Sequence, residues 1–153
     1  MCSSDLYKVQ IGESIIDIWN LNETWGLKTG QLTFEFHNLY KLPDTTFFNF
    51  SSIIFSFKEN KFIIGRPFLD FLKKAEIDLV SDKNPYPELC VVNTMYYQKR
   101  LNYKLSRRLK CYLVEKEGEL PMSKLSTAQI KHYNKIIFSE DEILSFFHEI
   151  KTK

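Results

Sequence analysis

Glycine is scarce in this chain, with five among 153 residues, and none of Gly12, Gly26, Gly30, Gly65 or Gly118 stands in a phosphate-cradling loop. Neither a Walker A loop nor a dinucleotide fingerprint can be built from them. The nucleophile elbow, kinase and zincin signatures are missing as well, so a nucleotide-dependent or triad enzyme is not expected. Cysteine is equally sparse: Cys2, Cys90 and Cys111 make an odd set with no pair at metal-ligand or redox spacing. That argues against a disulfide framework and for a reducing, cytoplasmic setting. Cys90 and Cys111 stand among apolar residues and read as inert core thiols. No apolar run approaches the roughly 20 residues that a bilayer span requires, the longest lying around Ile53 to Phe55. No membrane partner and no cofactor are expected.

What is present describes a chain of single-domain size, 1–153, that would bury roughly 70% of the surface its unfolded form exposes. The apolar fraction is 44% and the aromatic fraction 15%, with no repeat or low-complexity tract. The first residues stand apart: Cys-Ser-Ser-Asp-Leu is what a widely used sequencing adapter gives when translated in one frame, so Met1 to Leu6 are expected to be non-native. On that expectation the true N-terminus lies upstream, and a missing leader says little about location.

Net charge is +2 but unevenly spread. Residues 1–60 carry four basic and seven acidic side chains, 61–118 twelve and seven, and 119–153 five and five. Between Glu88 and Glu115 there is no acid at all, while Lys99, Arg100, Lys104, Arg107, Arg108 and Lys110 interleave with Tyr96, Tyr97, Tyr103 and Tyr112. Three of the four arginines, against seventeen lysines, fall in this window. Guanidinium grips phosphate or carboxylate with a planar fork, so the clustering points to oxyanion recognition.

Alternation over Tyr7 to Trp19, broken at Gly12, predicts two short strands or one bulged strand. Gly26 and Gly30 bracket a turn, and Gln31 to Leu39 alternates as a half-buried strand. A loop follows over Lys41 to Asn49. Ser52–Phe57 and Lys61–Ile64, separated by Lys58-Glu59-Asn60, read as a hairpin. Pro67 opens a helix that runs to about Glu76. Ser81 to Pro87 is a loop, and Leu89 to Tyr97 reads as a strand. The basic segment fits two templates: Leu101, Leu105 and Leu109 stack at helical spacing, yet polar residues also hold the even positions from Gln98 to Lys110. The β-rich Cys111 to Val114 tilts its latter half toward strand. Ser126 with Gln129, and Ser139 with Glu142, match the capping box of helix starts. In the second of these helices Ile143, Phe146, Phe147 and Ile150 form one apolar stripe. The expected architecture is α+β, with a mostly antiparallel sheet from the N-terminal strands, the 52–64 hairpin and the 89–114 region, and helices on one face.

The first functional expectation is a non-enzymatic nucleic-acid- or polyanion-binding protein. Lys99, Arg100, Lys104, Arg107, Arg108 and Lys110 would neutralise phosphates, and Tyr103, with Tyr96 or Tyr97, would stack on bases. The second is a protein-interaction module, such as a small inhibitor or immunity-type protein, whose basic face meets an acidic protein. The third is metal-dependent phosphoryl transfer or nuclease chemistry at Glu76, Asp78 and Asp82. Glu35 and His37 share a strand face and could pair as acid and base or form half of a metal site, but a solvated strand face is the favoured reading, since no second His or Cys lies at ligand spacing. His132 and His148 read as surface residues, and Trp19 and Trp25 as core or interface anchors.

Overall fold

The alternating segment near the N-terminus folds as an antiparallel hairpin in the computed structural model, which describes residues 7–28 and 39–152. Its strands are β1 (Tyr7–Ile11) and β2 (Ser14–Ile18). Gly12 supplies the turn with φ +59°, a conformation that a Cβ disfavours. A single helical turn, α1 (Trp25–Lys28), includes Gly26. The strand expected over Gln31 to Leu39, with Glu35, His37 and Gly30, lies outside the described residues except for Leu39. That residue opens a 3-10 stretch, Leu39–Thr45, where a loop had been expected.

The second hairpin forms as the sequence predicts. β3 (Ile53–Ser56) pairs antiparallel with β4 (Lys61–Ile64), and Asn60 takes the left-handed turn position at φ 50°. Gly65 then caps α2 (Arg66–Lys74), with Pro67 in the first turn, where its missing N–H costs nothing. A third ladder is parallel and two residues long: β5 (Glu76–Ile77) beside β6 (Lys104–Leu105). Among the described residues, two of the three ladders are antiparallel and stand beside several helices, so the α+β class holds. They are separate two-stranded pieces rather than one sheet.

The largest correction concerns residues 89–114. Apart from the two residues of β6, they form most of helix α3 (Pro87–Leu101) and of helix α4 (Arg107–Glu119) rather than long strands. Val91, Val92 and Thr94 favour strands in isolation but here lie fully buried on one helical face, where packing outweighs propensity. Thr94 donates its hydroxyl to the Cys90 carbonyl at 2.7 Å, one turn back, which satisfies it inside the core. Asn102, left-handed at φ 55°, ends α3 by donating its N–H to the Gln98 carbonyl.

α5 (Met122–Tyr133) begins after Pro121, so Ser126 lies mid-helix and caps nothing. The capping box at α6 (Glu140–Thr152) does form: Ser139 N–H donates to Glu142 Oε2 at 2.8 Å, and Glu142 N–H to Ser139 Oγ at 3.2 Å. The stripe Ile143, Phe146, Phe147 and Ile150 is buried, each side chain contributing about 1.5–3 kcal/mol of transfer free energy. α3 packs on α5, and α4 on α6. Their buried faces join Phe47, Phe48, Ile77 and Leu79 in one cluster. No described helix is long and apolar enough to cross a membrane.

Two buried amides hold irregular backbone in place. Asn49 Nδ2 donates to the Glu76 carbonyl at 2.9 Å, its Oδ1 accepts from Asp78 N–H at 3.0 Å, and its own N–H donates to the Asp78 carbonyl at 2.9 Å. It thereby serves β5 as a neighbouring strand would. Gln129, fully buried, accepts from the N–H groups of Ile137 (2.9 Å) and Phe138 (2.8 Å) and donates to the Phe138 carbonyl (3.2 Å). This ties α5 to the chain entering α6. Trp19, half exposed, is not core, and its indole N–H donates to Thr24 Oγ1 at 3.2 Å.

Candidate interaction groove

The acid-free window runs from the buried face of α3 through Asn102 and Tyr103 and β6 into the first turns of α4. Its cations consequently meet different surroundings. Lys99 and Arg100 occupy the last turn of α3, where the negative end of the helix dipole favours them. Arg100 donates to Tyr96 Oη at 3.2 Å, with its guanidinium carbon 6.0 Å from the ring centre.

Arg107, Arg108 and Lys110 instead stand in the first turns of α4, at the positive end of its dipole, with no acidic residue there to offset them. Arg108 is compensated from elsewhere. Its Nε and Nη2 donate to Asp78 Oδ1 (3.2 Å) and Oδ2 (3.1 Å), and Nη2 donates also to the Leu79 carbonyl. Asp78 Oδ1 further accepts from Ser106 Oγ at 2.6 Å and Leu79 N–H at 2.9 Å. Ser106 in turn caps α4 by accepting from Leu109 N–H at 3.0 Å. Arg108 is therefore part of a structural knot rather than a free anion contact. Asp78, with both oxygens engaged, has little left to offer a metal. No group of three metal-ligating side chains exists among the described residues, which leaves Glu76, Asp78 and Asp82 without support as a metal site.

Lys104, Arg107 and Lys110 converge on a groove of about 1030 Å³ between α4 and α6. Leu105, Val114 and Ile150 give it an apolar floor, while Glu76, Glu115, Glu149 and Lys151 lie along the rest of its lining. Lys151 is held by Glu117 at 2.5 Å. None of the side chains of Lys104, Arg107 and Lys110 has an ion-pair partner among the described residues. Cys111, expected in the core, is exposed on this groove, whereas Cys90 is buried as expected.

The tyrosines of α3 are packed among other rings, whereas Tyr103 stays exposed. Tyr97 packs on Phe48 and Phe50, Tyr96 on Tyr97 and Tyr133, and Tyr103 meets Phe71 edge-on at 5.2 Å. Tyr133 donates to Asn93 Oδ1 at 2.7 Å, and burial pushes its phenol up to about 12. Tyr112 is buried beside the Cys90 thiol, the polar group its hydroxyl meets among the described residues. Burial raises both groups, Cys90 to about 12. His132 and His148 are exposed, and partial burial lowers His132. The charge pattern alone revealed the cations; it could not reveal which of them already have partners. No family model, curated protein or solved structure matches the chain.

Proposed function

We propose that this chain is a non-enzymatic protein-interaction module that takes an acidic, amphipathic segment of a partner protein into the groove between α4 and α6. The observation that carries the reading is the set of Lys104, Arg107 and Lys110, without ion-pair partners among the described residues, around an apolar floor. Arg107 and Lys110 sit against the α4 dipole, so a bound carboxylate would relieve a repulsion as well as form an ion pair. Apolar side chains of the segment would cover Leu105, Val114 and Ile150. Nucleic acid fits less well, because Tyr96 and Tyr97, two of the three tyrosines that would stack on bases, pack on other aromatic rings and Arg108 is committed to Asp78. The free thiols Cys90 and Cys111 support a reducing, cytoplasmic setting.

The test is titration of a labelled helical peptide alternating Glu and Leu faces, in parallel with single- and double-stranded RNA and DNA, at about 50 and 200 mM salt. The peptide should bind, and the Lys104→Ser, Arg107→Ser, Lys110→Ser triple variant should lose at least tenfold in affinity. Salt-sensitive binding of nucleic acid with no peptide binding would overturn the reading.

A further inference from the structure

We infer that the apolar face of the β1–β2 hairpin is a self-association surface, occupied by the same hairpin of a second copy of this chain. Register places Tyr7 opposite Ile18 and Val9 opposite Ile16, so Tyr7, Val9, Ile11, Ile16 and Ile18 share one face of the ladder. All five are exposed, from 39% for Val9 to 69% for Tyr7. Ser14, opposite Ile11, is the polar residue at the edge of this face; the other face carries Lys8, Gln10 and Asp17, with Lys8 and Asp17 approaching across the strands at 3.7 Å. The exposure of all five leaves this apolar face uncovered by the described residues.

An isolated two-stranded hairpin is marginal in water, and gains stability when its apolar face is covered. With about 150–250 Å² per large side chain, the five residues leave roughly 500 Å² uncovered per copy. Two copies face to face would remove about 1,000 Å², the lower bound for a specific interface. No charged side chain stands on this face to select a charged partner. The same apolar patch on two copies can meet itself about a two-fold axis. The product is a four-stranded sandwich, its two layers about 10 Å apart.

Sedimentation equilibrium over about 1–300 µM, the range of a small interface, should show a reversible monomer–dimer transition. Ile16→Lys, at the centre of the face, should raise the dimer dissociation constant at least a hundredfold with an unchanged far-ultraviolet spectrum. Because that variant could unfold the hairpin itself, hydrogen exchange on the unmodified chain is the second measurement. Amide protection in residues 7–18 should rise with protein concentration while α3 to α6 stay constant. A monomer throughout the range, a dimer that survives Ile16→Lys, or concentration-independent protection of the hairpin would each overturn the inference.

Discussion

Arg107 and Arg108 are neighbours of one residue type, yet replacing each with Gln should have opposite consequences. Arg108→Gln removes two hydrogen bonds to Asp78 and one to the Leu79 carbonyl. The guanidinium is 59% exposed and the carboxylate 28%, so solvent screens the ion pair to about 0.2–1 kcal/mol. The bond to the carbonyl adds about 0.5–1.5 kcal/mol. Asp78 keeps Ser106 Oγ and Leu79 N–H as donors, so it is not orphaned. The expected loss is about 1–2 kcal/mol, with affinity for the acidic peptide unchanged. Arg107→Gln should shift stability by less than about 0.5 kcal/mol, as exposed positions do, and weaken the peptide. Urea unfolding followed by circular dichroism gives both stabilities, and an unaltered m-value shows that the unfolded state has not changed. A double-mutant cycle with Asp78→Asn should return a coupling of about 0.5–1 kcal/mol. Equal destabilisation by the two arginine variants, or a weakened peptide with Arg108→Gln at full stability, would refute the assignment of roles.

Three further outcomes follow from the same structure. Gln129→Leu leaves two N–H groups and one carbonyl without their partner in a buried site, at about 1–3 kcal/mol each where water cannot replace it; a total loss under 1 kcal/mol in urea unfolding would contradict the clasp. Gly65→Ala drives a Cβ into Ser52 Oγ and to 2.8 Å from Pro43 Cβ, an overpacking cost of about 1–3 kcal/mol that a melting curve would register. Cys90 is raised by burial from 9.0 to about 12, so the folded chain holds a proton that the unfolded chain releases. Its contribution is complete below about pH 9 and is lost as pH rises toward 12, at up to about 1.4 kcal/mol per pH unit. The unmodified chain should therefore lose stability more steeply than Cys90→Ala between pH 9 and 10.5, and parallel slopes would dismiss the effect.

Local rules sufficed wherever an element's identity depended on its own residues. The 52–64 hairpin followed from two β-rich runs and a polar triplet, α2 from Pro67 and its apolar spacing, and α6 from the Ser139–Glu142 box and a four-residue stripe. They failed at 89–114, where the deciding facts are tertiary. Val91, Val92 and Thr94 read as strand until α5 and the Phe47–Phe48 segment supply a core for one helical face. The box at Ser126 had the right residues in the wrong place, since the chain had already entered helix after Pro121.

The site was legible as charge and not as chemistry, and the reason is distance along the chain. Asp78 neutralises Arg108 from thirty residues away, and no spacing rule joins them. The tyrosines suggested stacking surfaces because interleaving with cations resembles a nucleic-acid face, yet an aromatic ring has the same sequence signature whether it lies open or packs on Phe48, Phe50 and Tyr133. Setting the committed Arg108 and the Tyr96-bound Arg100 aside leaves Lys99 at the end of α3 and, gathered on the groove, Lys104, Arg107 and Lys110 without ion-pair partners among the described residues. Two of these stand at the positive end of α4, where a folding-only explanation would favour acids. Cations kept there without an ion-pair partner among the described residues make the fold slightly less stable than acids would, and on the proposed reading an incoming carboxylate would recover that loss. Stability and binding should therefore trade against each other at Arg107 and Lys110, with Glu at either position strengthening the helix while abolishing capture of an acidic segment.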